Sequence, residues 1–293
     1  MKILVTGSEG LIGTSLRSVL AAQFDVRRFD LRLPARLDVR DAAELEAALA
    51  DCAGVVHLAA ISRVVWAEHD PDVCWTTNVD GTRNVLNAAS ASPQRPWVIV
   101  ASSREVYGQP NTLPATKEAE LSPVNTYGRS KVAAERLTMD AQRGGARVAI
   151  ARFSNVYGHA DDHADRVIPC FVRAALTGEP LRLEGPNNTF DFTHVSDAVR
   201  GILAMIRALE QAEPLPPIHF VTGRPTTLSN LAELAIQTTS SKSTTFVAPS
   251  RTFDVARFWG DPARARRLLG WSPRVTLKQG VAQLAADMRK AAS

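Results

Sequence analysis

The feature that most constrains the fold lies at the amino terminus, where an apolar run passes directly into a glycine-rich turn. The run Lys2–Thr6 is too short for a helix and is typical of a buried strand. Residues 7–13 follow with the spacing G-x-x-G-x-x-G, and Leu16, Val19 and Leu20 then recur at helical intervals. A strand, a glycine turn and a helix in this order predict a βα unit that binds phosphate groups.

Each glycine of the turn has a distinct expected role. Gly7 permits the tight turn, Gly10 lets the backbone approach a pyrophosphate, and Gly13 lets the helix pack closely on the strand. The amino terminus of the helix then faces the phosphates with its free N–H groups. A dinucleotide site is therefore expected at this end of the first strand.

The acidic residues that follow indicate which dinucleotide binds. The second predicted strand, Val26–Phe29, ends on Asp30, where a carboxylate can meet the ribose hydroxyls and reject a 2′-phosphate. This favours NAD over NADP, although Arg32 leaves the choice open. Asp38 places a carboxylate near the adenine amino group or, equally well, caps a helix.

Further strands and helices alternate along the first half of the chain. Strands are predicted at Gly54–Ala60, Trp97–Ala101 and Arg147–Arg152, with a helix over Asn78–Ala89. Such alternation predicts a doubly wound parallel sheet whose ligand crevice lies at the carboxyl ends of its strands. Ser103 follows the fourth strand and is therefore expected in that crevice.

Tyr127 and Lys131 form the pattern with the clearest chemical meaning. They lie four residues apart at the start of a predicted helix, and hence on one face. An ammonium beside a phenol favours the phenolate, so the pKa of Tyr127 is expected below its ordinary value of about 10. The pair predicts a general acid–base that works near neutral pH. His57, in contrast, is interpreted as a satisfied residue at a strand end.

Composition excludes several classes of partner. Of the 293 residues, 45% are apolar and 22% are charged, which is typical of a soluble globular protein. The net charge of +4 is spread among acids, and the basic–aromatic interleaving of single-strand nucleic-acid binders is missing. The three cysteines lack disulfide or metal spacing, and neither a signal-like segment nor a membrane-length apolar run is seen. We therefore expect a cytoplasmic protein without nucleic-acid, membrane or metal partners.

Together these motifs resemble the extended short-chain dehydrogenase/reductase family, in its NAD-dependent nucleotide-sugar epimerase/dehydratase branch. The resemblance extends over essentially the whole chain. Its matching segments are Thr6–Gly13, His57–Ala60, Asn78–Thr82, Ser102–Gly108, Tyr127–Lys131, Arg152–Gly158, His194–Ala198 and Leu268–Pro273.

The resemblance implies an α/β architecture, a Rossmann-type doubly wound parallel sheet with a smaller, sequence-interleaved substrate-binding cap. Residues 1–160 form the NAD-binding domain, and residues 191–222 return to it. The cap then comprises residues 161–190 and 223–293. A homodimer through the helices around residues 80–90 and 127–142 is implied as well.

The resemblance also assigns roles to residues. Ser103 hydrogen-bonds the reacting sugar oxygen, Tyr127 moves its proton, and Lys131 holds the nicotinamide ribose and tunes Tyr127. The expected catalytic residues are Ser103, Glu105, Tyr127 and Lys131. The expected NAD-binding residues are Gly7, Gly10, Leu11, Ile12, Gly13, Asp30, Asp38, Val39, Leu58, Ala59, Ala60, Asn78, Ser102, Tyr127 and Lys131. The expected substrate-binding residues are Ser62, Ser103, Arg104, Asn155 and Arg251.

Two departures from the family pattern bear on the reaction. Arg104 stands where sugar dehydratases carry an aspartic acid, and an arginine cannot donate the proton that elimination needs. Glu105 remains, as in sugar-acid decarboxylases, either with a chemical role or as a partner of Arg104 or a backbone donor. Phe190 replaces an arginine that holds the diphosphate in relatives. Arg251 could compensate, or could be an exposed loop residue.

The expected function is that of an NAD-dependent nucleotide-sugar epimerase, which inverts carbon 4 of a UDP-hexose through a transient 4-keto sugar. One alternative is a nucleotide-sugar decarboxylase or dehydratase, or a 4-keto-sugar reductase, that uses Glu105. Another is a non-catalytic NAD-sensing protein of the same fold.

Overall fold

A computed structural model of the protein describes residues 1–212, 214–249, 253 and 255–292. The strands in this part of the chain are β1 (Lys2–Thr6), β2 (Asp25–Phe29), β3 (Gly54–His57), β4 (Trp97–Ser103), β5 (Val148–Phe153), β6 (Asn155–Tyr157), β7 (Leu181–Glu184), β8 (Thr189–Phe190), β9 (Phe192–His194), β10 (Ile218–Phe220), β11 (Thr226–Thr227), β12 (Thr245–Ala248) and β13 (Arg257–Phe258).

The α-helices of the same residues are α1 (Leu11–Leu20), α2 (Ala42–Leu49), α3 (Val64–His69), α4 (Pro71–Trp75), α5 (Gly81–Ala91), α6 (Thr126–Arg143), α7 (Val167–Thr177), α8 (Val195–Glu210), α9 (Leu228–Thr239), α10 (Ala263–Leu269) and α11 (Leu277–Ala292). A π-helical turn, Thr76–Asp80, precedes α5, and a 3₁₀ turn, Arg104–Tyr107, follows β4.

Six strands form the central sheet, in the order β2-β1-β3-β4-β5-β10. All five pairings are parallel, which confirms the predicted doubly wound sheet. The inner strands are apolar along their length because helices cover both faces of the sheet. The strand order reverses between β1 and β3, and in such sheets this switch point opens the ligand crevice.

Two apolar cores flank the sheet. Leu16 and Leu20 of α1 pack on one face together with Ile202 and Met205 of α8. On the other face, α2 and α5 pack through Leu45, Leu49 and Val85. The helices therefore fix the carboxyl ends of the strands relative to one another.

α8 and β10 lie against and within the central sheet. Phe220 of β10 lies opposite Phe153 of β5 in parallel register, and α8 contacts both β4 and β5. β9 differs, because it pairs with β6 in a separate two-stranded sheet.

A further core lies among α7, α9 and α11, the segments predicted to form the cap. Phe171, Leu231 and Val281 are buried together there. Ala265 and Trp271, also predicted in the cap, instead join the core under α8. Trp271 explains this position, since its indole donates to Asp197 O at 2.9 Å and its ring meets Phe220 edge-on at 5.1 Å.

Across the described ranges, none of the helices has both the length and the apolar character that a bilayer crossing requires.

Candidate functional site

A cavity of about 940 Å³ lies where the carboxyl ends of the sheet strands meet the cap segments. Gly7, Asp30, Leu58 and Ser103, each at or just beyond the end of a sheet strand, line one side. Phe171 of α7 lies on the other side. The volume suits a small-molecule ligand or cofactor.

The glycine turn forms one end of the cavity. Gly7 has φ +68°, and a Cβ there would lie 2.6 Å from Ala59 N. A Cβ on Gly13 would lie 2.1 Å from Gly7 O, so only glycine allows α1 to approach the turn this closely. Gly10 caps α1 without a side-chain hydrogen bond, and the first turn of the helix carries no acid. Its free N–H groups and its helix dipole therefore suit an anionic group such as a pyrophosphate.

Asp30 stands beside this turn, at the end of β2. Its side chain is 9% exposed and accepts hydrogen bonds from Glu9 N and Arg32 N, both at 2.9 Å. The carboxylate lines the cavity, as predicted for a residue that meets ribose hydroxyls. Arg32 also lies close, with its Nε 3.5 Å from Asp30 Oδ1.

Asp38 lies in the same wall but does not cap a helix. Asp41 caps α2 by accepting from Glu44 N, so the capping interpretation of Asp38 is wrong. Asp38 instead binds the Arg40 guanidinium, and this hydrogen bond lowers the pKa of the carboxyl. Its place in the cavity wall fits the adenine end of a dinucleotide.

Asn78 lies behind the cavity rather than in its wall. Its fully buried amide accepts from Ile61 N at 2.8 Å and donates to Ile61 O at 3.1 Å and to Ser130 Oγ at 2.9 Å. It therefore holds the loop after β3 in place. His57, the strand-end residue, is likewise satisfied, with ring nitrogens 2.7 Å from Thr6 Oγ1 and 3.1 Å from Thr82 Oγ1.

Ser103, Tyr127 and Lys131 meet at the centre of the cavity. Asn125 begins α6 by accepting from Gly128 N at 2.8 Å, which places Tyr127 in the first turn and Lys131 one turn later. Ser103 ends β4 and is hydrogen-bonded to Tyr127. The Lys131 ammonium donates to Ala101 O at 3.0 Å and lies 5.9 Å from the centre of the Tyr127 ring.

The expected lowering of the Tyr127 pKa is wrong for the protein alone. Burial raises the pKa of Tyr127 to about 12, against the lowering effect of the hydrogen bond from Ser103. Burial also lowers the pKa of Lys131 to about 8. Desolvation disfavours both charged forms, and at neutral pH Tyr127 is a neutral phenol beside a protonated Lys131.

Glu105 is held on both sides. Arg104 Nη2 lies 2.8 Å from Glu105 Oε1, and Asn125 Nδ2 donates to Oε2 at 2.8 Å. Both side chains of the ion pair are largely buried, with exposures of 11% for Arg104 and 7% for Glu105. Of the two interpretations left open by the sequence, this geometry is that of a partner to Arg104.

An arginine from another element packs against the Phe190 ring. The Arg104 guanidinium lies over the Phe190 ring, 4.7 Å from its centre. A positive charge is thus present at this wall, although it comes from the turn after β4 rather than from β8. Arg251, the other arginine considered for this task, lies outside the described residues.

A buried polar network lies beneath the central residues. Arg152 of β5 pairs with Glu135 of α6 through Nε at 2.8 Å and Nη2 at 2.6 Å, and Ser102 Oγ donates to Glu135 at 2.5 Å. Arg152 Nη1 also donates to the Tyr107 hydroxyl, and the Tyr107 oxygen lies 2.5 Å from Nε2 of His219. The network ties α6, which carries Tyr127 and Lys131, to the sheet.

Almost all the predicted site residues converge on the cavity. Those in its wall are Gly7, Gly10, Leu11, Ile12, Gly13, Asp30, Asp38, Val39, Leu58, Ala59, Ala60, Ser62, Ser102, Ser103, Arg104, Glu105, Tyr127, Lys131 and Asn155. Asn155 comes from β6 and its backbone N–H donates to Asp191 O at 3.2 Å. Asn78 is placed behind the wall, and Arg251 is not described.

Sequence reasoning missed the residues at the mouth of the cavity. Arg63 binds Asp165 through two hydrogen bonds of 2.7 and 2.8 Å, which join the loop after β3 to the segment before α7. Asp162 is buried beside them with one carboxylate oxygen unpartnered, and burial raises its pKa. These residues lie about a hundred positions apart and carry no motif. Asn125 could have been found, since an asparagine directly before a helical pattern is a common cap.

Comparisons with known proteins agree with this geometry. The model of the NAD-dependent epimerase/dehydratase family matches residues 3–223. UDP-glucuronic acid decarboxylase 2 of Arabidopsis thaliana is 30% identical over 326 residues, which cover 99% of this chain and 68% of that protein. UDP-glucose 4-epimerase of Mycolicibacterium smegmatis is 29% identical over 306 residues, which cover 97% of each chain.

A solved structure, MoeE5 in complex with UDP-glucose and NAD, is also similar. It has a TM-score of 0.91 and 29% identity, and the match covers 100% of both chains. MoeE5 has also been solved with UDP-glucuronic acid and NAD.

The cavity described above fits the cofactor of these relatives. A Cβ on Gly7 or Gly13 would strike neighbouring backbone atoms, so glycine keeps the turn tight enough for its N–H groups to approach a pyrophosphate, and Asp30 and Asp38 line the wall beyond it. The match of the family model over three quarters of the chain, together with this fit, leads to one conclusion. The chain belongs to the NAD-dependent epimerase/dehydratase family, and NAD is its cofactor.

Proposed function

We propose that the protein is a nucleotide-sugar 4-epimerase that inverts the configuration at carbon 4 of a UDP-linked hexose. The observation that carries this proposal is the contrast between Tyr127 and Glu105. Tyr127 lies in the cavity wall with Ser103 as its hydrogen-bond partner, whereas both carboxylate oxygens of Glu105 are occupied. Epimerisation through a ketone needs one proton-transfer group at the sugar oxygen, and it does not need a second acid or base at carbon.

NAD, which the glycine turn, Asp30 and Lys131 would hold, would supply reversible hydride transfer and a positive charge that favours the phenolate form of a nearby tyrosine. The chain supplies the remaining functions. Tyr127 takes the proton of the 4-hydroxyl as the ketone forms and gives it back as the hydroxyl is restored. Ser103 holds the sugar oxygen against Tyr127, and Lys131 provides a fixed positive charge. The cavity must let the ketone rotate so that its other face is presented.

Decarboxylation is the competing reaction, since the decarboxylase of Arabidopsis thaliana is 30% identical. Dehydration needs an acid and a base beyond Tyr127, whereas decarboxylation of the 4-keto acid needs only a proton donor to carbon 5 after carbon dioxide leaves. Glu105 is the candidate that the family pattern supplies, and its bonds to Arg104 and Asn125 oppose this role. A purely NAD-sensing protein is disfavoured because Ser103, Tyr127 and Lys131 are all present and grouped.

The proposal is tested by changing Tyr127 to Phe. Because the ring remains and only the hydroxyl is lost, we expect NAD to bind as before and turnover of the nucleotide sugar to fall by roughly 10²- to 10⁴-fold. Thr138→Val is the control, since it removes a buried hydroxyl from the same helix at a residue outside the cavity wall. Near-normal turnover by the Tyr127 variant would overturn the assignment of Tyr127.

Three coarser expectations from the sequence accompany this proposal. We propose that the central sheet with α8 and β10 is the NAD-binding domain and that the core of α7, α9 and α11 is the substrate cap. A cytoplasmic location and a homodimer through α5 and α6 are proposed on the family resemblance alone.

A further inference from the structure

The side chain of Arg104 is fixed by contacts on several sides. Its guanidinium lies 4.7 Å from the centre of the Phe190 ring and 5.9 Å from that of Phe258. Arg104 Nη2 is held by Glu105 at 2.8 Å. Since Asn125 fixes the other oxygen of Glu105, the orientation of the whole pair is set before any ligand arrives.

One nitrogen of this fixed guanidinium remains unused. Arg104 Nη1 is buried and has no hydrogen-bond partner in the part of the chain that the structure describes. Among the described arginines that line the cavity, Arg104 is the one with a buried nitrogen that lacks a hydrogen-bond partner. Buried donors in native proteins are rarely left unpaired, and each exception calls for an explanation such as a ligand.

The other arginines of the cavity wall already face carboxylates. Arg63 binds Asp165, and Arg182 lies 3.0 Å from Glu184. Arg104 also faces a carboxylate, that of Glu105, but the two oxygens of Glu105 are bound by Arg104 Nη2 and Asn125 Nδ2. The polar group of the pair that still lacks a partner is therefore a donor, Arg104 Nη1. The ligand atom that fits it is an acceptor, and a negatively charged acceptor gives the stronger bond to a guanidinium.

The place of Arg104 in the cavity indicates which part of a substrate it meets. The Arg104 guanidinium pairs with Glu105, which accepts from Asn125 two residues before Tyr127, so it lies at the end of the cavity where Ser103 and Tyr127 would hold the 4-hydroxyl. In a hexopyranose, carbon 5 with its substituent carbon 6 is the neighbour of carbon 4, whereas the diphosphate is attached across the ring at carbon 1. The anionic group of a nucleotide sugar that can stand nearest the reacting carbon is therefore a carboxylate at carbon 6.

We infer that Arg104 is a specificity-determining residue that binds the carbon-6 carboxylate, and that the preferred substrate is a nucleotide-linked hexuronic acid rather than a neutral hexose. This inference rests on the proposed 4-epimerisation and makes its substrate class more specific. Phe190 and Phe258 hold the guanidinium by its faces, and Glu105 holds one edge and leaves the other for the substrate.

Binding measurements test the inference separately from catalysis. UDP-glucuronic acid, UDP-glucose and UDP are titrated calorimetrically into the NAD-loaded Tyr127→Phe protein, with and without the further change Arg104→Gln. We expect UDP-glucuronic acid to bind more tightly than UDP-glucose. Arg104→Gln should weaken UDP-glucuronic acid by roughly 10- to 100-fold and leave UDP-glucose and UDP within about threefold. Arg182→Gln is the control, and it should leave the ratio between the two sugars unchanged.

Two results would overturn the inference. Equal affinity for the two sugars would show that no carboxylate is recognised. An equal loss for all three ligands in the Arg104 variant would assign the guanidinium to the diphosphate. Turnover by the unmodified protein is scored separately: a preference for UDP-glucuronic acid in binding without inversion at carbon 4 would refute the proposed reaction and leave the carboxylate site standing.

Discussion

The close approach of α1 to the glycine turn gives the sharpest prediction about the cofactor site, tested by Gly13→Ala. A Cβ at this position would lie 2.1 Å from Gly7 O and 2.9 Å from the Cα of Ser8. Ordinary contacts begin at 3.4 Å, so the carbonyl of Gly7 must move by roughly 1.3 Å or α1 must tilt away. Either movement displaces the turn that Gly10 N closes on Gly7 O at 3.1 Å.

The size of the effect follows from the rigidity of this turn. Inserting a methyl group into a packed site costs about 1–3 kcal/mol, because neighbouring atoms relax only in part. If that cost falls on the arrangement that receives the pyrophosphate, the dissociation constant of NAD rises by roughly 5- to 150-fold. The free energy of unfolding should fall by a comparable amount.

NAD affinity is measured by calorimetric titration and stability by chemical denaturation in the absence of NAD. Gly144→Ala is the matched control, because Gly144 ends α6, has φ −75°, and would bring a Cβ no closer than 3.4 Å to Ala141 O. Unchanged NAD affinity in the Gly13 variant, with the control also unchanged, would refute the role given to the close packing of α1 on the turn.

Three further changes test other parts of the structure. Glu105→Gln should lower the epimerisation rate by less than about tenfold, whereas the loss of a general base costs roughly 10²–10⁴-fold, and steady-state kinetics separate the two. Arg152→Met should reduce the free energy of unfolding by about 3–5 kcal/mol in denaturant titrations, because it leaves the Glu135 carboxyl, 1% exposed, without its arginine partner. Burial lowers the pKa of His57 to about 3, so the folded state keeps it neutral while the unfolded chain takes up a proton below about pH 6.5. Stability should therefore fall as the pH falls from about 6.5 toward 3, by up to roughly 1.4 kcal/mol per pH unit from this group. His57→Gln should flatten that slope, and an unchanged slope would contradict the assignment.

The parallel sheet could be predicted because its signals are local. The glycine turn, the apolar strands and the Tyr127–Lys131 pair each span only a few residues. The spacing of the apolar residues predicts which faces of the strands and helices are buried. Even the return of β10 to the sheet follows from a short apolar run after a helical one. The sequence could not place Trp271, because its contact with Phe220 depends on how the last segments fold back over α8.

The pKa of Tyr127 shows where local reasoning fails. Spacing correctly places Lys131 on the same helix face, but the ordinary pKa argument assumes that the charge of Lys131 dominates. In the folded protein both groups are buried, and desolvation outweighs their mutual effect. Burial is a property of the whole fold, so no short pattern contains it.

The contacts of Arg104 were equally hidden. Its neighbours Phe190 and Phe258 lie 86 and 154 positions further along the chain, and only the folded structure brings them together. The sequence shows that Phe190 stands where relatives have an arginine. It does not show that the Arg104 guanidinium packs on the Phe190 ring.

The most direct test of the proposed function is mass-resolved turnover with stereochemical analysis. The NAD-loaded protein is offered UDP-glucose and UDP-glucuronic acid labelled with deuterium at carbon 4, and the products are followed by mass spectrometry and proton NMR. We expect a product of unchanged mass that keeps its label and has the opposite configuration at carbon 4. Loss of carbon dioxide or water, or replacement of the label by solvent hydrogen, would contradict epimerisation through a returned hydride.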